Sequence, residues 1–184
     1  MCEGELTQIC ERDNLGLLEK RYIVIVKKKT ANLFAASCQA GAILSNCQGS
    51  IQNALKGFGL NFGIAFQVID DYLDLAGEQK KLGKSPGQDI AVGEMTLPLL
   101  NLLESASEDE RRKLKKLIES KDVDCLKIIK KMLLNSKAIL QTKLIAISYI
   151  DQAKTNLKKL SNSEYRQSLS NLADFIIKRG FKRL

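Results

Sequence analysis

Three carboxylates stand at the end of the most informative stretch of the sequence: Asp70, Asp71 and Asp74, preceded by Gln67 and, further back, by Gly63 and Gly59. At about 100° per residue, a helix through this stretch carries Gly59, Gly63, Gln67, Asp70 and Asp74 within roughly 80° of arc, with Asp71 beside them at about 120°. Leu55, Phe58, Phe62, Phe66, Ile69 and Leu73 fill an adjoining apolar stripe. Carboxylates crowded onto one turn repel one another and raise each other's pKa unless a cation neutralises them. Hard oxygen donors without a histidine or thiolate partner suit Mg2+, which binds through one or two carboxylates, water and substrate phosphates. A solvated acidic helix end would account for the aspartates, but not for their alignment below glycines and beside a phenylalanine stripe. Glycines four residues apart allow a second backbone or a slender ligand to come close.

Two lysines fit a phosphate held near such a cluster. Lys29 precedes Thr30 at the expected start of a helix; Thr30 is placed to cap it, and Lys29 to face an anion near its amino end. Lys84 lies in a Gly83, Lys84, Ser85, Pro86, Gly87 loop beyond Asp74.

The elements that must position these groups read as helices. Residues 30–44 mix small and apolar side chains as a buried helix does, and 51–75 form one long helix that Gly77 is placed to end. Residues 77–96, rich in glycine and charge, read as an ordered loop. Beyond Pro98 the periodicity predicts helices over 99–105, 108–120, 125–131, 139–157 and 163–178. Ser107 with Glu110, and Ser161 with Glu164, have the spacing of capping boxes. The β-branched run 22–26 favours a strand on local propensity, but its helical surroundings place it in a helix.

Composition bounds the function. The 184 residues suffice for one domain with a sizeable core, and 45% hydrophobic with 27% charged residues is a globular balance. The five scattered cysteines lack a CxxC pair and the chain has no histidine, which argues against structural zinc and removes Ser-His and Cys-His nucleophile pairs. Thiols in this pattern suit a reducing cytoplasm. The formal charge of +8 could favour nucleic acid, an anionic membrane surface or phosphorylated small molecules. With 5% aromatics, no tryptophan and no aromatic-basic interleaving, a nucleic-acid platform is not supported. No apolar run approaches the ~20 residues of a membrane span.

The series Phe66-Gln67, Asp70-Asp71, Asp74, Gly83-Lys84, Asp89, Gly93 and Thr96-Leu97-Pro98 resembles the second aspartate-rich region of the trans-isoprenyl (polyprenyl) diphosphate synthases. Upstream, Glu3-Gly4-Glu5 with Gln8, and Lys29-Thr30-Ala31 with Leu33-Phe34, look like the two preceding helices of that family. Downstream, Ala153, Leu157, Leu160, Tyr165, Leu169, Leu172, Phe175 and Arg179 are similar to its closing helices. The resemblance implies an all-α fold, the isoprenoid synthase bundle around a central cavity, with residues 1–184 a single unit forming its carboxy-terminal portion. It requires the 22–26 run to be helical.

The same resemblance implies an enzyme that condenses isopentenyl diphosphate with an allylic diphosphate, using Mg2+. By it Asp70, Asp71 and Asp74 form the second metal cradle, with Asp70 the direct ligand. Lys29 and Lys84 contact the allylic diphosphate, and Thr30 and Gln67 sit near the developing carbocation. Glu94 stands where many relatives have lysine, and no role is carried onto it. Residues 29–34 with Ser37, Cys38, Gly41 and Ala42 look more like octaprenyl- and heptaprenyl-type enzymes than short-chain ones. The first aspartate-rich motif is absent, so the expectation is a truncated, inactive portion of a cytoplasmic homodimeric synthase, near membranes only through its lipid product. The alternative is a noncatalytic subunit of a heteromeric synthase, against which the intact Asp70, Asp71, Asp74, Lys29 and Lys84 weigh.

Overall fold

The carboxylate stretch forms one uninterrupted helix, 28 residues from Gly49 to Ala76 and about 42 Å long. It exceeds the predicted 51–75 by a residue or two at each end. The structure, a computed structural model, describes residues 1–76 and 87–181. Gly77 and Lys84 lie outside the described residues. In chain order the helices are α1 (Cys2–Cys10), α2 (Glu19–Val26), a π-helical segment (Lys27–Ala31), α3 (Asn32–Leu44), α4 (Gly49–Ala76), α5 (Gln88–Ala91), α6 (Leu97–Ser105), α7 (Glu108–Ser120), α8 (Val123–Leu134), α9 (Ala138–Leu157) and α10 (Glu164–Gly180). Among the described residues no strand occurs, and the chain is all-α as expected.

The central position of α4 follows from its composition. Ala54, Phe58, Phe62, Ile64, Ala65, Val68 and Leu75 are buried, so it needs cover on more than one side. α3 and α9 pack along it most extensively, α6 lies against α9, and α10 touches both α9 and α4. The glycines let the π segment and α3 come close. A methyl group on Gly63 would sit 2.7 Å from the Ala31 Cα, so the approach depends on its absence. Phe34 fills the space beside this contact, its ring 5.5 Å from those of both Phe62 and Phe66, within the range of favourable aromatic pairing.

The 22–26 run is helical. Tyr22, Ile23, Ile25 and Val26 are buried on α2. Burying each such side chain is worth about 1.5–3 kcal/mol, whereas a β-branched residue loses at most about 0.7 kcal/mol in a helix. Packing therefore decides the conformation.

Three local expectations are corrected. Thr30 does not cap a helix, because α2, the π segment and α3 run on without an intervening non-helical residue; Lys29 accordingly does not stand before a helix amino end. The capping box at Ser107 and Glu110 forms, but Ser163, rather than Ser161, caps α10 by accepting the Arg166 N–H. The expected 77–96 loop contains the single-turn α5.

Candidate active site

Four segments of chain meet at one cleft of about 260 Å3. α1 contributes Gln8, with Glu11 just beyond it; α2 and the π segment contribute Tyr22, Ile25, Val26 and Lys29. α4 contributes Gln67, Asp70 and Asp71, and the stretch around α5 contributes Asp89, Glu94 and Met95. Tyr22 and Lys29 reach the same wall because they stand two turns apart on one continuous rod. The π segment adds a residue to the last of those turns, a distortion often found at functional sites. Larger surface clefts lie between α4 and α9 (about 580 Å3) and among α6, α7 and α8 (about 920 Å3), each with a single carboxylate.

A chain of hydrogen bonds runs through the back of the cleft. Tyr22 Oη donates to Asp71 Oδ2 at 2.6 Å, Gln67 Nε2 donates to Asp71 Oδ1 at 2.7 Å, and Thr30 Oγ1 donates to Gln67 Oε1 at 2.8 Å. Both Asp71 oxygens thus already accept hydrogen bonds, and the residue is buried. Asp70 differs. It is exposed, faces the cleft, and has no side-chain hydrogen bond or ion pair among the described residues. Asp74 does not line the cleft; its Oδ2 accepts the Asp89 backbone N–H at 3.2 Å and its carbonyl accepts the Gly87 N–H at 2.9 Å, anchoring the start of α5. Lys29 Nζ donates to Gln8 Oε1 at 2.8 Å and lies 3.5 Å from Glu5.

The electrostatics express excess negative charge. Burial, then the charges of Asp71, Asp74, Glu94 and Asp70, push Asp89 up to about 8. Burial likewise raises Asp71 to about 6, with the hydrogen bonds from Tyr22 and Gln67 pulling it back, Asp70 pushing it up and Lys29 pulling it down. Burial, with Asp71 beside it, holds the Tyr22 hydroxyl well above its ordinary value. A divalent cation would relieve this repulsion. Among the described residues no three acidic, histidine or cysteine side chains converge tightly enough to hold a metal by themselves. That donor set fits Mg2+ sharing its shell with phosphate oxygens and water, for which one or two carboxylates suffice.

Sequence reasoning singled out Lys29, Gln67, Asp70 and Asp71, and the fold brings these four together. It brings Thr30 behind them and turns Asp74 aside. Tyr22 and Glu11 were not anticipated, and Gln8, Asp89 and Glu94 carried no assigned role. The seven-residue spacing of Tyr22 and Lys29 is the one local signal that could have linked a missed residue to the site.

Residues 1–135 match the model of the family described as Polyprenyl synthetase. The chain belongs to that family. Within it, this chain is 35% identical over 179 residues to the short chain isoprenyl diphosphate synthase of Methanothermobacter thermautotrophicus, covering 97% of this chain and 55% of that protein. It is also 35% identical over 182 residues to heptaprenyl diphosphate synthase component 2 of Bacillus subtilis, covering 98% and 51%. Among solved polyprenyl synthetase structures, that of polyprenyl synthase from Caulobacter crescentus, complexed with calcium and isoprenyl diphosphate, superposes with a TM-score of 0.93 at 34% identity, covering 97% of this chain and 55% of that one. The chain spans about half the length of the relatives it matches.

Proposed function

We propose that this chain forms the carboxy-terminal half of a trans-polyprenyl diphosphate synthase, contributing the second aspartate-rich cradle to an active site that condenses isopentenyl diphosphate with an allylic diphosphate. The observation that carries this is a single cleft lined by Lys29, by Asp70, which is unpaired among the described residues, and by the charge-crowded Asp71 and Asp89. Calcium and isoprenyl diphosphate in the Caulobacter crescentus relative support the ligand class.

Asp70 is the direct metal ligand, with Asp71 and Asp74 completing the acidic end of α4. A Mg2+ ion held by these carboxylates would supply positive charge to offset that of a departing diphosphate. Lys29 donates to a phosphate oxygen of the allylic substrate, assisted by Lys84. The allylic carbon–oxygen bond breaks, the isopentenyl double bond attacks the allylic carbon, and diphosphate and a proton leave. Thr30 Oγ1, behind the cleft wall, donates to Gln67 Oε1 at 2.8 Å, and we assign this pair of oxygen dipoles to stabilising positive charge on carbon. Tyr22 and Asp71 lock the Gln67 amide in that orientation. Leu17, Ile25, Val26 and Met95 supply apolar wall against water. Residues 29–34 with Ser37, Cys38, Gly41 and Ala42 resemble those of octaprenyl- and heptaprenyl-type enzymes, and on that resemblance we assign a long-chain product. We place the active enzyme in the cytoplasm as a homodimer. No helix among the described residues is long and apolar enough to cross a membrane.

Calorimetric titration of the chain with Mg2+ and inorganic diphosphate checks the site. Binding should require both, and Asp70→Ala should weaken it by about tenfold or more, the loss of one charge-assisted contact. Unchanged affinity in Asp70→Ala would remove the assignment. Alone, the chain should elongate farnesyl diphosphate weakly or not at all, since the first cradle is not among its residues.

A further inference from the structure

Gln8 on α1 carries no charge and Glu94 repels anions, yet both stand beside Lys29 in the cleft. We propose that Glu94 fixes the orientation of the Gln8 carboxamide, and that the oriented carboxamide fixes Lys29 for an incoming diphosphate. This rests on the proposed diphosphate site.

A carboxamide is nearly symmetric in shape but not in chemistry: its nitrogen only donates and its oxygen only accepts. Lys29 only donates, and ionised Glu94 only accepts. The observed arrangement satisfies both, with Lys29 Nζ donating to Gln8 Oε1 at 2.8 Å and Gln8 Nε2 donating to Glu94 Oε2 at 2.5 Å. The flipped amide would set donor against donor and acceptor against acceptor. Each bond has a charged partner, which makes it stronger than a neutral one.

Both ends of this relay are themselves held. Glu94 uses its other oxygen on the Arg12 guanidinium at 3.5 Å, and its side chain is only 14% exposed. Its backbone N–H donates to the Asp89 carbonyl at 2.8 Å, and the preceding Gly93 carbonyl accepts the Asp13 N–H at 2.8 Å, joining the segment after α1 to the segment after α5. On α1, Gly4 leaves room for the Lys29 backbone, since a methyl group there would sit 2.6 Å from the Lys29 Cα. That close approach brings Gln8 within reach of the ammonium group. Without Gln8, Lys29 has a competing partner in Glu5, 3.5 Å away and outside the cleft. Gln8 and Glu94 are thus positioning residues, and their effect on the substrate passes through Lys29.

Glu94→Gln separates this role from simple electrostatics, because the two predict opposite signs. Removing a negative charge beside an anion site should tighten diphosphate binding by Coulomb attraction alone. Glutamine there both donates and accepts, so it pairs with either orientation of the Gln8 carboxamide; loss of the acceptor-only group that selects one orientation should weaken binding. The experiment titrates the full chain with inorganic diphosphate in the presence of Mg2+. Gln8→Leu and Glu94→Gln should each weaken binding about fivefold, a coupling usual for directly bonded neighbours. In the Gln8→Leu background, Glu94→Gln should instead tighten it, because only the charge effect is left. A ligand-free readout comes from the Gln8 side-chain amide resonances, which Glu94→Gln should move. Tighter binding by Glu94→Gln in the otherwise unaltered chain, or Gln8 resonances indifferent to residue 94, would overturn the inference while leaving the site intact. Absence of any Mg2+-dependent diphosphate binding by the unaltered chain would instead overturn the site itself, and the inference with it.

Discussion

Burial and the neighbouring carboxylates leave Asp89 with a pKa of about 8, against an ordinary value of 3.8. An acid whose pKa is raised on folding binds more protons in the folded than in the unfolded chain, so stability falls as pH rises. For Asp89 the penalty is absent below about pH 4, grows as pH rises from there, and is complete above pH 8; Asp71 adds its share between its ordinary value and about 6. Asp89→Asn removes the ionisation without shortening the side chain. It should leave the melting temperature unchanged near pH 4 and raise it at pH 8.5 by about 3 °C or more, which corresponds to roughly 1 kcal/mol for a chain of this size. Thermal unfolding followed by circular dichroism at the two pH values checks this, and an equal effect at both would show that the repulsion is not what Asp89 contributes.

At the scale of the helices, what sets the site is how closely the α2–α3 rod lies against α4. The same substitution should have opposite signs at two glycines. Gly41 on α3 is open, with nothing within 4 Å of an added methyl group, so Gly41→Ala should stabilise the chain by up to about 1 kcal/mol through helix propensity. A methyl group added to Gly63 on α4 would sit 2.7 Å from the Ala31 Cα, backbone that cannot yield without moving the π segment. Gly63→Ala should therefore cost about 1–3 kcal/mol despite the same propensity gain. Because Thr30 adjoins Ala31, it should also disturb the Thr30–Gln67 hydrogen bond. Urea unfolding of both variants gives the two signs directly. Stabilisation at Gly63 would mean that the rod and α4 are less tightly apposed than the structure shows.

For the molecule as a whole, the notable surface feature is apolar. Leu33 and Leu44, 51% and 83% exposed, stand three turns apart on one stripe of α3, and Leu140 and Leu144 are more than half exposed on α9. Single exposed leucines are ordinary, but repeated ones along a helix face mark a surface that another polypeptide covers. The chain should self-associate at micromolar concentration in sedimentation experiments, and Leu33→Lys with Leu44→Lys should shift it toward monomer without loss of helicity. A monomer at all concentrations that binds no hydrophobic dye would show that this face is not an interface.

The all-helical character, the extent of α4 and the cluster of Gln67, Asp70 and Asp71 beside phenylalanines were legible in the sequence, because helical periodicity fixes which residues share a face within one element. Residues 22–26 were legible only through their surroundings, since four buried side chains outweigh a small local preference. Thr30 shows where local rules fail: a threonine before a helical pattern reads as a cap, but the π segment carries the helix through it and gives its hydroxyl to Gln67. Asp71 and Asp74 share a sequence cluster with Asp70, yet Tyr22 claims one and the start of α5 the other. No spacing rule could have paired Gln8 with Glu94, which meet across 86 residues. The sequence by itself determined the elements, their amphipathic faces and the types of group available for chemistry, because those depend on interactions within a few residues. Tertiary structure alone decided which carboxylate is left free among the described residues, which are locked, and what holds Lys29, because those depend on where separate helices come to rest against α4.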